Sequence, residues 1–120
     1  MKELARVEEQ IMKIFWALKK GLVKDVLEKM PDPKPAYNSV LTTVRILEKK
    51  GFLDHKAYGK THEYYPIISK ERYTVFYLNN FLKGYFNGSF EGLVSFFVKE
   101  NNLSEEEIEK LMEEAKNQQE

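Results

Sequence analysis

Apolar residues recur along this chain with two periods, and the places where the period changes mark its organisation. Leu4, Val7, Ile11, Ile14, Phe15 and Leu18 form one stripe at three-and-four spacing. That spacing predicts a first helix from about Leu4 to Lys19. Trp16 stands off the centre of the stripe and is expected as a packing residue at a domain contact. Gly21 is expected to end the helix. Leu22 and Val23 lead into a short second helix built on Asp25, Val26, Leu27 and Met30. Pro31, Pro33 and Pro35 then forbid helix and make a stiff turn. From Ala36 to Lys50 the spacing of Val40, Val44 and Leu47 predicts a third helix, stopped by Lys49-Lys50-Gly51.

The period then becomes two. Leu53, His55 and Ala57 alternate with Asp54, Lys56 and Tyr58. This predicts a strand over 52–57, a tip over Tyr58-Gly59-Lys60-Thr61 and a return strand over 62–67, with 53–67 forming a hairpin. Gly59 permits a positive φ at the tip, and Pro66 falls near a strand end, where a missing donor matters least. Helical spacing returns after Ser69, an N-cap candidate. A long aromatic helix is expected over 71–86. Ser89 opens a second helix to about Glu100, with Phe90, Leu93, Val94, Phe97 and Val98 on one face. Ser104 to Glu107 reads as a capping box before Ile108, Leu111 and Met112. The tail 116–120 is expected to fray. Three short helices and then a hairpin is the order of a winged helix-turn-helix. The expected fold class is mainly α with a small β-hairpin wing: a winged-helix DNA-binding domain over 1–68 and a helical dimerisation domain over 69–120.

Composition narrows this only a little. The chain has 120 residues, 42% of them hydrophobic, and no cysteine, so it has material for a core but neither disulfides nor thiolate metal sites. No apolar run approaches 18 residues, and Met1 to Arg6 lacks an apolar signal core, so no membrane insertion is expected and a cytoplasmic location is the default. The zero net charge argues against a nucleic-acid partner until its distribution is considered. Residues 1–68 carry 13 Lys and Arg against 9 Asp and Glu, and residues 69–120 carry 6 against 10. A basic first part and an acidic second part suit a chain whose first part meets phosphate.

The candidate chemistry gathers on the third helix and the hairpin. Tyr37, Asn38, Ser39 and Thr42 would face bases from the N-terminal end of the helix, with Thr43 and Arg45 at the edges or on phosphates. Lys60, with Lys56 and Thr61 nearby, would hold backbone phosphate. The bland reading, an ordinary solvated helix face, agrees less well with the hairpin and the charge split. His55, His62 and Glu63 could approach across the hairpin as metal ligands, but as strand residues they need no such role; no metal and no cofactor is expected. No phosphate cradle or nucleophile motif is present, so no catalytic residue is assigned and the chain is not expected to be an enzyme. Three amphipathic helices after Ser69 cannot bury their apolar residues alone. A two-fold homodimer through Tyr73, Phe76, Tyr77, Phe81, Tyr85, Phe86, Leu93, Phe97, Ile108 and Leu111 would bury them and match a palindromic operator in double-stranded DNA. A winged-helix protein adaptor, or a repressor sensing a small ligand through its C-terminal aromatics, are the alternatives.

The order and spacing of these motifs resemble the penicillinase-repressor (BlaI/MecI) family of bacterial transcriptional regulators. The resemblance lies in Leu4…Glu8-Glu9…Ile11-Met12…Phe15-Trp16, in Ser39-Val40…Thr43…Leu47-Glu48-Lys49-Lys50-Gly51-Phe52-Leu53, and in Tyr64-Tyr65-Pro66. It continues through Phe81-Leu82…Tyr85-Phe86-Asn87-Gly88-Ser89…Leu93-Val94…Phe97 and Leu103-Ser104…Glu107-Ile108…Leu111. It implies a homodimeric repressor on palindromic operators, released by proteolysis of the dimerisation region in a pathway that starts at a membrane sensor-peptidase. Where the family carries an Asn-Phe cleavage pair this chain has Phe96-Phe97, so that pair is absent. The Arg that often precedes the Leu of the third helix is Ile46, with Arg45 one place earlier. The cysteine cluster of the copper-responsive branch is missing.

Overall fold

The computed structural model describes residues 1–118 and contains six helices and one hairpin: α1 (Arg6–Leu18), α2 (Val23–Lys29), α3 (Tyr37–Lys49), β1 (Leu53–Tyr58), β2 (Thr61–Pro66), α4 (Lys70–Tyr85), α5 (Phe90–Glu100) and α6 (Glu105–Asn117). This is the expected mainly helical architecture with a two-stranded antiparallel wing. Lys116 and Asn117 are helical, so the expected fraying does not begin there; residues 119 and 120 lie outside the described residues.

The chain divides into two compact units, Met1–Tyr77 and Leu78–Glu120. The first is a winged-helix domain. Its core is made of Ile11, Met12 and Phe15 of α1, Val23 and Val26 of α2, Val40, Val44 and Leu47 of α3, and Phe52, Leu53, Tyr64 and Tyr73. The stripes read from the sequence supply most of these faces, but Val7 of the first stripe is 47% exposed and Met12, outside it, is fully buried. Two local features differ from expectation. The first helix is ended by Lys19 and not by Gly21: Lys19 takes the left-handed φ of 72° and donates its N–H to the Phe15 carbonyl. Gly21 instead pairs with the return strand. Its N–H donates to the Tyr64 carbonyl at 2.9 Å, and Tyr64 N–H donates back at 2.8 Å. This exchange ties the α1–α2 corner to the wing.

Polar side chains fix the helix ends. Lys34, in the proline turn, donates to the carbonyls of Leu27, Glu28 and Met30 at the end of α2. Glu8, only 5% exposed, accepts from the N–H of Ala5 at 2.8 Å and from Lys50 Nζ at 3.0 and 2.7 Å. It thus joins the start of α1 to the end of α3. Burial pushes its carboxyl up. The Lys50 hydrogen bonds, the Ala5 N–H and the Lys50 charge overcome this and hold it below the usual 4.5.

The unit boundary lies nine residues beyond the one read from the sequence, because the first turns of α4 pack on the winged domain. Ser69 caps α4 as expected, its Oγ accepting from Arg72 N–H at 3.1 Å. Tyr73 enters the core beside Phe52 and Trp16, with centroids 5.7 and 5.9 Å away, and its hydroxyl accepts from Leu4 N–H. Trp16 donates its indole N–H to the Ile68 carbonyl at 2.9 Å, the packing role expected of it. In the second unit, Ser89 and Ser104 cap α5 and α6 by accepting from the N–H groups of Gly92 and Glu107.

Candidate nucleic-acid interface

The outward face of α3 follows from the buried one. Val40, Val44 and Leu47 point into the core, so the opposite side must carry Asn38, Thr42, Arg45 and Lys49, with Ser39 and Ile46 on one flank. All six are exposed. Tyr37 is half exposed at the start of the helix. Thr43 is half-buried, at the border between the outer face and the core. Two residues of this face, Ile46 and Lys49, were not among the sequence candidates. The signal was present in the spacing, since Lys49 lies eleven residues, three turns, after Asn38. Thr42 and Thr43 donate their hydroxyls to the carbonyls of Asn38 and Ser39, four residues back.

The hairpin register pairs Leu53 with Pro66, His55 with Tyr64 and Tyr58 with Thr61, which leaves Gly59 and Lys60 as a two-residue tip. Gly59 takes φ 64° and Lys60 does not take a positive φ, the pattern of a type II′ turn, whose twist suits a hairpin. The tip reaches back toward α3. Tyr37, Leu41 and Arg45 of the helix, Lys60, Thr61 and His62 of the wing, and Leu22 to Lys24 line a cleft of about 480 Å³. Lys24, Arg45 and Lys60 give it three cations and no acid. Lys56 lies on the other face of the hairpin over the Tyr58 ring, 5.5 Å from its centroid, and does not line the cleft.

Behind the cleft a polar seam fixes the wing against the helix. Tyr64 is buried between them. Burial raises its hydroxyl pKa, the Glu48 carboxylate raises it further, and the Arg45 charge and hydrogen bond partly oppose both. Glu48 is hydrogen-bonded to His55 Nδ1. The His55 ring stacks on His62, centroids 4.3 Å apart. Glu63 faces Lys56 across the other side of the hairpin, so the metal reading of His55, His62 and Glu63 does not assemble. Glu48, Asp54 and His55 do bring one ligand atom each within 4.8 Å of one another. The Glu48–His55 hydrogen bond, and the acceptance of the His55 backbone N–H by Asp54, account for that approach.

The residues expected at a dimer interface separate into two groups. Tyr73 is 5% exposed and Phe76 packs against the same core. Tyr73 therefore cannot serve an interface between copies; its signal was that of an aromatic on an aromatic helix, and its burial inside its own domain came from Trp16 and Phe52. Tyr77 also belongs to the first unit. In the second unit, Phe81 packs on Tyr85 and Phe86, with centroids 5.0 and 5.9 Å away, and Phe86 packs on Phe96. Leu93, Phe97, Ile108 and Leu111 line an apolar groove of about 850 Å³ with Phe90, Val94 and Met112. Neither α5 nor α6 has a fully buried residue in the single chain.

A family model described as penicillinase repressor matches residues 4–117. The chain belongs to the penicillinase repressor family. It is 30% identical over 110 residues to the methicillin resistance regulatory protein MecI of Staphylococcus aureus strain N315, covering 91% of this chain and 89% of that protein. It is 29% identical over 110 residues to MecI of Mammaliicoccus sciuri, with the same coverage. It is 28% identical over 119 residues to the penicillinase repressor of Bacillus licheniformis, covering 96% and 93%. The family is one of DNA-binding transcription regulators and not of enzymes. The match runs through both compact units, so the wing and the apolar helices of α5 and α6 lie within it. Among the described residues, no helix is long and apolar enough to cross a membrane.

Proposed function

We propose that the chain represses transcription as a two-fold homodimer on a palindromic DNA operator. Each copy places the Asn38–Thr42–Arg45–Lys49 face in a major groove and the Lys60 tip on the adjacent backbone. The observation that carries this reading is the conjunction, on one side of one domain, of an exposed polar helix face and a cleft with three cations and no acid. Major-groove edges require the first and phosphates the second. The dimer is supported by the apolar groove of α5 and α6, which a single chain leaves open. A second copy covers such a groove without exposing new apolar surface. Release by proteolysis of the dimerisation region fits the same scheme, because separating the helices from the winged domain would remove the two-fold avidity.

The test is selection from a random duplex pool, followed by anisotropy titration of the selected duplex and light scattering of the protein. We expect an enriched inverted repeat, two chains per duplex, and affinity that falls steeply with salt. A protein that enriches no sequence and binds duplex with no salt dependence would overturn the DNA reading, and the winged face would then belong to a protein partner.

A further inference from the structure

The outer face of α3 carries a feature that phosphate contact does not use. Asn38, Thr42 and Ile46 are spaced four apart, so they form one ridge along the helix. Thr42 has turned its hydroxyl back to the Asn38 carbonyl at 2.8 Å, which leaves its methyl as the outward group. Ile46, one turn further, is 42% exposed. The ridge therefore presents an amide and then two aliphatic groups to whatever fills the groove. The cations Arg45 and Lys49 stand on the other flank of the same face.

We propose that this chain reads thymine methyl groups with Thr42 and Ile46, so that its half-site is specified by A·T pairs at the positions under that ridge. The proposal rests on the DNA reading above and names what that site recognises. The thymine 5-methyl is the one aliphatic group that base pairs display in the major groove, and aliphatic side chains are its complement. Thr42 and Ile46 lie about 6 Å apart along the axis, close to two base-pair steps of about 3.4 Å. They address two thymines in one half-site rather than a single base. Asn38, one turn earlier, has the donor and acceptor pair that suits adenine. Arg45 lies against the Tyr64 hydroxyl at the seam with the wing, which leaves the ridge as the base-reading part of the face.

The experiment replaces each thymine of the selected duplex by deoxyuridine, one symmetric pair at a time. This removes the methyl and keeps every Watson–Crick group. Burial of one methyl is expected to contribute about fourfold in affinity, so a symmetric pair should cost about fifteenfold at the two ridge positions and nothing elsewhere. Ile46→Ala should lower affinity for the thymine duplex to a similar extent and abolish the further loss on deoxyuridine at one of those positions. Unchanged affinity on deoxyuridine at every thymine, with tight binding to the parent duplex, would overturn this proposal and leave the DNA reading intact. Failure to bind any duplex would overturn the DNA reading instead. The deoxyuridine series uses the unaltered chain, so it decides the matter even if Ile46→Ala fails to fold.

Discussion

Lys60 and Glu8 show how differently two charged side chains act in this domain. Lys60 is exposed at the wing tip and contributes nothing to the core. A lysine that neutralises one phosphate adds about 0.9 to the slope of log affinity against log salt, and it does so twice in a dimer. Lys60→Ala is therefore expected to reduce that slope by about two, with sequence preference unchanged, in titrations at several salt concentrations. An unaltered slope would remove the tip from the interface. Glu8 is buried and ties two helix ends together, so its effect is on stability. Its folded pKa lies below 4.5, so its stabilisation is complete above that value and is lost as the pH falls through the lower folded value. Lys50→Ala leaves the carboxylate with the Ala5 N–H alone and should cost about 1–3 kcal/mol. Thermal melts at pH 7 should show the loss, and Glu8→Gln should flatten the acid limb of the melting curve. An unchanged acid limb would mean that other carboxylates set it.

At the scale of elements, the helices and the wing were legible because their apolar positions keep one period from end to end. The third helix had Val40, Val44 and Leu47, and the hairpin had its alternation with Gly59 at the tip. The outer face of α3 was legible only in part. Choosing candidates by polar chemistry found Asn38, Thr42 and Arg45 and passed over Ile46, although phase alone places it there. The seam between helix and wing was not legible, because it depends on residues of different elements meeting by register: His55 with Glu48, Tyr64 with Arg45, Gly21 with Tyr64. Tyr73 was misplaced for the same reason, since its partners Trp16 and Phe52 are distant in sequence. The seam predicts a behaviour distinct from that of the tip. Arg45→Ala removes a cation from the cleft and also the group that faces the buried Tyr64 hydroxyl. It should lower operator affinity and the melting temperature together, the latter by an amount equivalent to about 1 kcal/mol, whereas Lys60→Ala should lower affinity alone. Equal melting temperatures for the two variants would show that Arg45 serves only the DNA.

For the whole molecule, the balance of charge and apolar surface assigns the two units different tasks. The winged domain holds the excess of basic residues and contains the buried apolar core. The second unit is acidic in sequence and leaves Phe90, Val94, Phe96, Phe97, Leu111 and Met112 exposed. An acidic unit gains nothing from phosphate, and an apolar groove of this size gains most from a matching surface. Charging the groove separates the two tasks. Phe97→Glu and Leu111→Glu together place two carboxylates in the groove without touching the winged core. The variant is expected to run as a monomer in light scattering at micromolar concentration and to keep the circular dichroism and melting transition of the winged domain. It should bind the palindromic duplex with a salt slope about half that of the parent, because only one set of phosphate contacts forms at a time. A double variant that still sediments as a dimer would move the interface away from α5 and α6. A monomer that keeps full operator affinity and slope would show that one winged domain suffices, and the two-fold arrangement on the DNA would fail with it.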